Sequence, residues 1–243
     1  MRTLSAFIGL MLIAAIPATA EEQPRIQIFG GYSYMNSPQE FSLNPASFDL
    51  YTVKETANGG THQNGLDVSV AVNLTKNLAL VADASTHFND RNIVRMEFAL
   101  PDYTGQIWET AQSTTYSFLF GPQIHFLGAK KIDPFGRALF GISKINRETT
   151  ITQSYTGIDG RSHVSSLQET LLNTGFAFAI GGGIDWRCSK SYSIRLLQAD
   201  YLRAKKEFTY AWPFYDGLSW IGKDSMTNNF RISAGIVFNI GRR

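Results

Sequence analysis

The sequence is short of cysteine, of long apolar runs and of charge. Cys188 is the single cysteine in 243 residues, so an intramolecular disulfide is excluded. Beyond residue 20 no apolar run reaches the ~20 residues a spanning helix needs. Charged residues make up 17% of the chain and the formal net charge is +2. That leaves no basic patch of the kind nucleic acid demands, so no nucleic-acid partner is expected. Histidine occurs only at His62, His87, His125 and His163, never at a metal-ligand spacing such as HxxxH. Neither a metal nor a cofactor is expected.

One apolar run stands at the start. MRTLSAFIGLMLIAAIPATA carries Arg2, an apolar stretch from Leu4 to Ile16, and small residues at Ala18-Thr19-Ala20. This is the grammar of a secretory signal peptide cleaved before Glu21. A membrane anchor is the alternative, disfavoured because the run is shorter than a spanning helix. The expected organisation is a signal peptide over 1–20 and one domain over 21–243.

What the chain has in plenty is alternation, with 17 Phe, 10 Tyr and 21 Gly. In GLDVSVAVNLT (65–75), Leu66, Val68, Val70, Val72 and Leu74 share one face of an extended strand. Asp67, Ser69, Ala71 and Asn73 share the other. The same two-residue period returns over 25–35, 78–88, 114–126, 135–144, 174–186 and 229–240. An eighth segment, SYSIRLLQADYLR (191–203), loses phase after Leu196. A β-bulge near Leu196-Leu197 would return Gln198 and Asp200 to the polar side. Otherwise the strand has left its apolar surroundings by Gln198. Connections alternate between short turns, such as Thr75-Lys76-Asn77, and long stretches rich in Thr, Ser, Asn and Gly.

The polar faces carry few charges: Asp67, Asp83, Arg137, Asp185, Arg195, Asp200 and Arg231. Soluble sheets place many Lys and Glu on a solvent face, and these segments hold almost none. Small residues with a few compensating charges suit a narrow closed interior. The apolar faces then meet lipid, which tolerates strands only in a closed barrel. The expected fold is all-β: an eight-stranded antiparallel up-and-down transmembrane β-barrel with long extracellular loops. Tyr32, Tyr34, Phe88, Phe126 and Trp186 fall near segment ends, where interfacial aromatics belong. The alternative is a soluble lipocalin-like barrel, which would turn the apolar faces inward.

The stretches FGGYSYMN, GLDVSVAVNLTKNLALVADAS, YSFLFGPQIHF, PFGRALFG, FAFAIGGGIDW, IRLLQADYL and RISAGIVFNI cover much of the mature chain. Together they resemble the small bacterial outer-membrane β-barrel family, similar to the transmembrane domain of outer membrane protein A. The resemblance implies a Gram-negative outer membrane, contact with its lipid and lipopolysaccharide, and insertion by the barrel assembly machinery. The last strand resembles the signal that machinery reads, through Ser233, Gly235, Phe238 and Ile240. The chain departs from the commonest form, because Gly241-Arg242-Arg243 follow where many members end in an aromatic residue.

No constellation demands catalysis. Asp83, Ser85 and His87 share one strand face, but alternate residues on a strand stand ~7 Å apart, too far for direct relay. Polar filling of the interior is the expected role. Arg137, Asp185 and Arg195 are expected to cluster near the short turns, with Asp200 and Arg231 pairing higher up. Left unpaired there, such charges would cost several kcal/mol. The interior is then plugged, or else its charges line a small hydrated passage. VRMEFAL and QIWETAQST would extend a hairpin beyond the bilayer, and TTITQSYTGIDGRSHVSS and YAWPFYDGLSWIG read as long loops. Trp212, Phe214, Tyr215 and Trp220 could meet a surface ligand or pack among the loops. The expected function is non-enzymatic, structural or surface-interacting. A small pore and a lipid-modifying enzyme are the alternatives.

Overall fold

Alternating side chains favour an extended backbone, and the surrounding solvent then decides which face turns in. The computed structural model describes residues 24–37, 54–58, 62–99, 103–126, 131–210 and 221–242. These form β1 (Pro24–Asn36), β2 (Lys54–Asn58), β3 (His62–Asn73), β4 (Leu78–Ala99), β5 (Tyr103–His125), β6 (Ile132–Gly157), β7 (Ser162–Arg187), β8 (Tyr192–Tyr210) and β9 (Ile221–Arg242). Eight of them close a ring in the order β1-β3-β4-β5-β6-β7-β8-β9, with every pairing antiparallel. The seam pairs β1 with β9 from Pro24↔Arg242 to Asn36↔Phe230. The fold is the expected eight-stranded up-and-down barrel. The expected signal peptide over 1–20 lies outside the described residues, as do Trp212, Phe214, Tyr215 and Trp220.

The faces divide as the alternation requires. Asp67 is 0% exposed and its neighbour Val68 is 49% exposed. Asp83 and Arg231 are buried, whereas Phe118, Phe176 and Ile236 stand on the outside. This excludes the lipocalin-like arrangement. Tyr32, Phe88, Phe126 and Trp186 are exposed near strand ends, and Tyr34 is half-buried. The interior is less polar than its charges suggest, because Phe29, Met35, Leu119, Phe135, Leu139 and Leu202 are also buried there.

Two short turns are tied by one device, a hydroxyl that accepts from the backbone ahead of it. Thr75 Oγ1 accepts from the amides of Asn77 and Leu78 at 3.3 and 3.0 Å. Ser189 Oγ accepts from those of Ser191 and Tyr192 at 3.2 and 3.1 Å. The bulge in β8 falls where phase is lost: pairing with β9 shifts between Arg195 and Gln198. Leu196 and Leu197 both point outward, and Gln198 and Asp200 return to the interior.

At the other end the strands run much further than alternation indicates. TTITQSYTGIDGRSHVSS is a hairpin and not an irregular loop. β6 and β7 stay paired up to Thr156↔Ser162. Thr, Ile and Tyr favour strand even on a polar ribbon. At its tip Gly160 has φ 72°, and the Asp159 carboxylate accepts from the Arg161 amide at 3.0 Å. VRMEFAL and QIWETAQST do pair, from Val94↔Glu109 to Phe98↔Gly105, above a register shift between Asn89 and Asn92. With β2 against β4, this part of the sheet has the order β2-β4-β5-β6-β7 and stands above the ring.

Candidate functional site

The barrel interior gathers the charges, and backbone register explains which meet. Arg137 on β6 faces Gly181 on β7, and Gly181 faces Asp200 on β8. Gly181 has no side chain, so Arg137 reaches across it. Its Nε and Nη2 donate to Asp200 Oδ1 and Oδ2 at 2.9 and 2.7 Å. Its Nη1 lies 3.0 Å from Asp83 Oδ2. Arg231, directly opposite Asp200 on β9, donates from Nη2 to Asp200 Oδ2 at 3.0 Å. Its Nη1 donates to Asp83 Oδ1 and Ser85 Oγ at 3.0 and 2.9 Å. Asp67 Oδ1 stands 3.9 Å from the same nitrogen. Two guanidiniums are thus shared among three carboxylates, in a region with little solvent.

The register corrects one grouping. Arg137 was expected beside Asp185 and Arg195. In the barrel Asp185 faces Asp133, four residues below Arg137 on β6. Asp185 instead accepts both Nε and Nη2 of Arg195 at 2.8 and 3.0 Å. The Arg195 guanidinium lies between the rings of Phe29 and Phe135, 4.4 Å from each centroid, a cation–π contact on two faces. Gln198 joins the two groups. Its Oε1 accepts from Arg195 at 2.6 Å, and its Nε2 donates to Asp67 and Asp200 at 3.0 and 3.1 Å. All seven charges named from the sequence are buried and belong to one linked network.

Asp83, Ser85 and His87 do not form a relay. Asp83 and Ser85 bind Arg231, whereas His87 Nε2 shares a 2.8 Å hydrogen bond with Ser33 Oγ. Ser233 Oγ donates to Asp67 at 2.9 Å and lies 3.0 Å from Ser33, so the network extends to His87. A separate set closes the short-turn end. Asp133 Oδ2 lies 3.1 Å from His125 Nδ1 and accepts from Arg187 at 3.0 Å. Sequence reasoning passed over Asp133, although it is in phase with Arg137 on β6. Phe29 and Phe135 were likewise missed, although their phase, shared with Gln27 on β1 and Arg137 on β6, turns them inward. Among the described residues no group of His, Cys, Asp and Glu could hold a metal ion.

Close approach at Gly181 gives a test. A Cβ there would lie 2.2 Å from the Ala199 carbonyl oxygen and 2.4 Å from Asp200 Oδ1. Gly181→Ala is expected to lower the unfolding free energy by about 1–3 kcal/mol, read by urea titration of the refolded protein in detergent micelles. Gly30→Ala, whose Cβ would meet nothing within 4 Å, is expected to leave the midpoint unchanged.

A closed ring with apolar side chains outside and a charged, hydrogen-bonded interior defines a membrane-spanning β-barrel. The chain matches no family model and no curated protein. Solved outer-membrane proteins are similar to it. The attachment invasion locus protein Ail of Yersinia pestis is 11% identical, with 89% of this chain and 99% of that one covered and a TM-score of 0.42. OprG of Pseudomonas aeruginosa is 9% identical, with 91% and 98% covered and a TM-score of 0.45. Neisserial surface protein A is 10% identical, with 91% and 100% covered and a TM-score of 0.35. The class assigned here stands on this chain's own faces and pairings.

Proposed function

We propose that the protein is a non-enzymatic barrel of the bacterial outer membrane, with a sealed lumen and a structural or surface-interaction role. In this reading residues 1–20 direct export and are removed. The barrel assembly machinery then inserts the chain into outer-membrane lipid and lipopolysaccharide. Ser233, Gly235, Phe238 and Ile240 would carry its recognition. Support comes from their distinct positions: Ser233 and Gly235 face the interior and the seam, while Phe238 and Ile240 are exposed on the outside.

The observation that carries the sealed-lumen reading is the Arg137–Asp200–Arg231–Asp83 bridge. It spans strands β6, β8, β9 and β4, and β4 lies on the far side of the ring from β8. The expected result in planar bilayers is an absence of stable, reproducible channels. Reproducible unit conductance would favour the small pore instead. Lipopolysaccharide of unchanged mass after incubation is expected, and a changed mass would restore the lipid-modifying enzyme. The surface role draws support from the raised sheet. Ile158, Val164, Leu167 and Leu172 are exposed on its outermost hairpin, beyond the last β7–β8 pair at Ala177↔Ala204.

A further inference from the structure

The short-turn rim carries a charge pattern that the sealed lumen does not use. Arg25 on β1, Lys76 in the β3–β4 turn, Lys131 before β6 and Lys190 in the β7–β8 turn are all exposed. They belong to four separate places around the ring. None makes an ion pair among the described residues. The two acids described near this end are buried and already paired, Asp133 beneath Arg187 and Asp185 with Arg195. At the opposite end the exposed Arg161 is met by an exposed acid, Asp159, at 3.6 Å.

Each rim cation also stands beside an outward apolar side chain. Leu74 and Leu78 flank Lys76, Ile132 follows Lys131, and Trp186 and Tyr192 flank Lys190. Ile240, the residue before Arg25's neighbour Gly241, completes the circuit. The last lipid-facing residue marks the edge of the hydrocarbon. A Lys or Arg one or two residues further reaches the level of the headgroup phosphates, with its stem against the apolar belt.

From this juxtaposition we propose that the short-turn rim is a collar for anionic glycerophospholipid, binding headgroup phosphates through Arg25, Lys76, Lys131 and Lys190. The ligand is the phosphate of a lipid already packed against the barrel. An annular lipid has its acyl chains on the belt and its phosphate at the height of the cations. A soluble polyanion would meet the cations but leave the adjoining apolar side chains without a role. The collar deepens the membrane reading and depends on the belt facing lipid.

The test uses the full mature chain, refolded into phosphatidylcholine vesicles containing a trace of spin-labelled phosphatidylglycerol or spin-labelled phosphatidylcholine. The motionally restricted fraction of each label gives the relative association. One cation near an anionic surface corresponds to about a fivefold preference. The wild type is expected to favour phosphatidylglycerol by at least about fivefold, and 1 M salt is expected to abolish most of that. Replacing all four with Gln is expected to bring the ratio close to unity. The variant exchanging each Lys for Arg and Arg25 for Lys keeps the preference. Heat-modifiable gel mobility verifies that each variant is folded. A wild-type ratio near unity, or one unchanged in the Gln variant, overturns the collar. So does a ratio that falls only when Lys144 and Arg161, at the opposite end, are replaced. Retention on insoluble peptidoglycan without lipid preference would reassign the cations to the cell wall and overturn it too. Failure of the wild type to insert into phosphatidylcholine alone would strike the membrane reading itself, so the two failures are distinguishable.

Discussion

Replacing Arg231 with Met is expected to lower the unfolding free energy by about 3–5 kcal/mol, the range for removing one partner of a buried ion pair. Met keeps much of the stem volume and deletes the charge. Arg231 is 0% exposed and donates to Asp83, Asp200 and Ser85. Its loss leaves Asp67, Asp83 and Asp200 with Arg137 as the remaining cation of the cluster. Adding Asp83→Asn should recover part of the loss, because it removes one uncompensated carboxylate. Urea titrations followed by tryptophan fluorescence in detergent micelles would measure both. Arg161→Met is the contrast: its partner lies 3.6 Å away and both side chains are largely exposed, so no measurable change is expected. If Arg231→Met behaved like Arg161→Met, the network would have no part in stability.

The second large effect lies on the outer face. Val68→Arg is expected to destabilise the barrel in lipid vesicles by about 2–4 kcal/mol, as a cation near the bilayer midplane does. Leu74→Arg, in the turn after β3, should cost only about 0–1 kcal/mol, because the charge reaches the interface. Equilibrium unfolding in vesicles would give both values. The ordering is the diagnostic: equal, negligible costs would mean that Val68 does not touch hydrocarbon.

The faces of the strands were legible from residues alone, because a two-residue period needs no knowledge of neighbours. Val68 outside and Asp67 inside follow from GLDVSVAVNLT together with the scarcity of Lys and Glu on the polar faces. The bulge at Leu196-Leu197 was legible for the same reason: a phase slip leaves a mark in the sequence. Partners were harder. Arg137 was grouped with Asp185 by counting from strand ends, but tilt in a barrel staggers adjacent strands, and register sets it across Gly181 from Asp200. That a glycine would leave the gap for an ion pair depends on a neighbour the sequence does not specify. The height of β6 and β7 was hidden by composition. TTITQSYTG looks like a loop by its polarity, yet outside the bilayer both faces of a ribbon can meet water, so no alternation is required. Phe29 and Phe135 have the inner phase, but that one guanidinium lies between their rings depends on strands far apart in the sequence.

The seam between β1 and β9 joins the first strand of the ring to the last, and β9 also carries Arg231 and Ser233. Without β9 the other strands would hold Asp67, Asp83 and Asp200 with Arg137 and lack the second guanidinium. β9 covers two backbone edges, those of β1 and β8, and also supplies that cation. A ring open at β9 would therefore carry both unpaired backbone edges and uncompensated charge. One strand thus joins the two ends of the chain both along the backbone and through a buried ion pair.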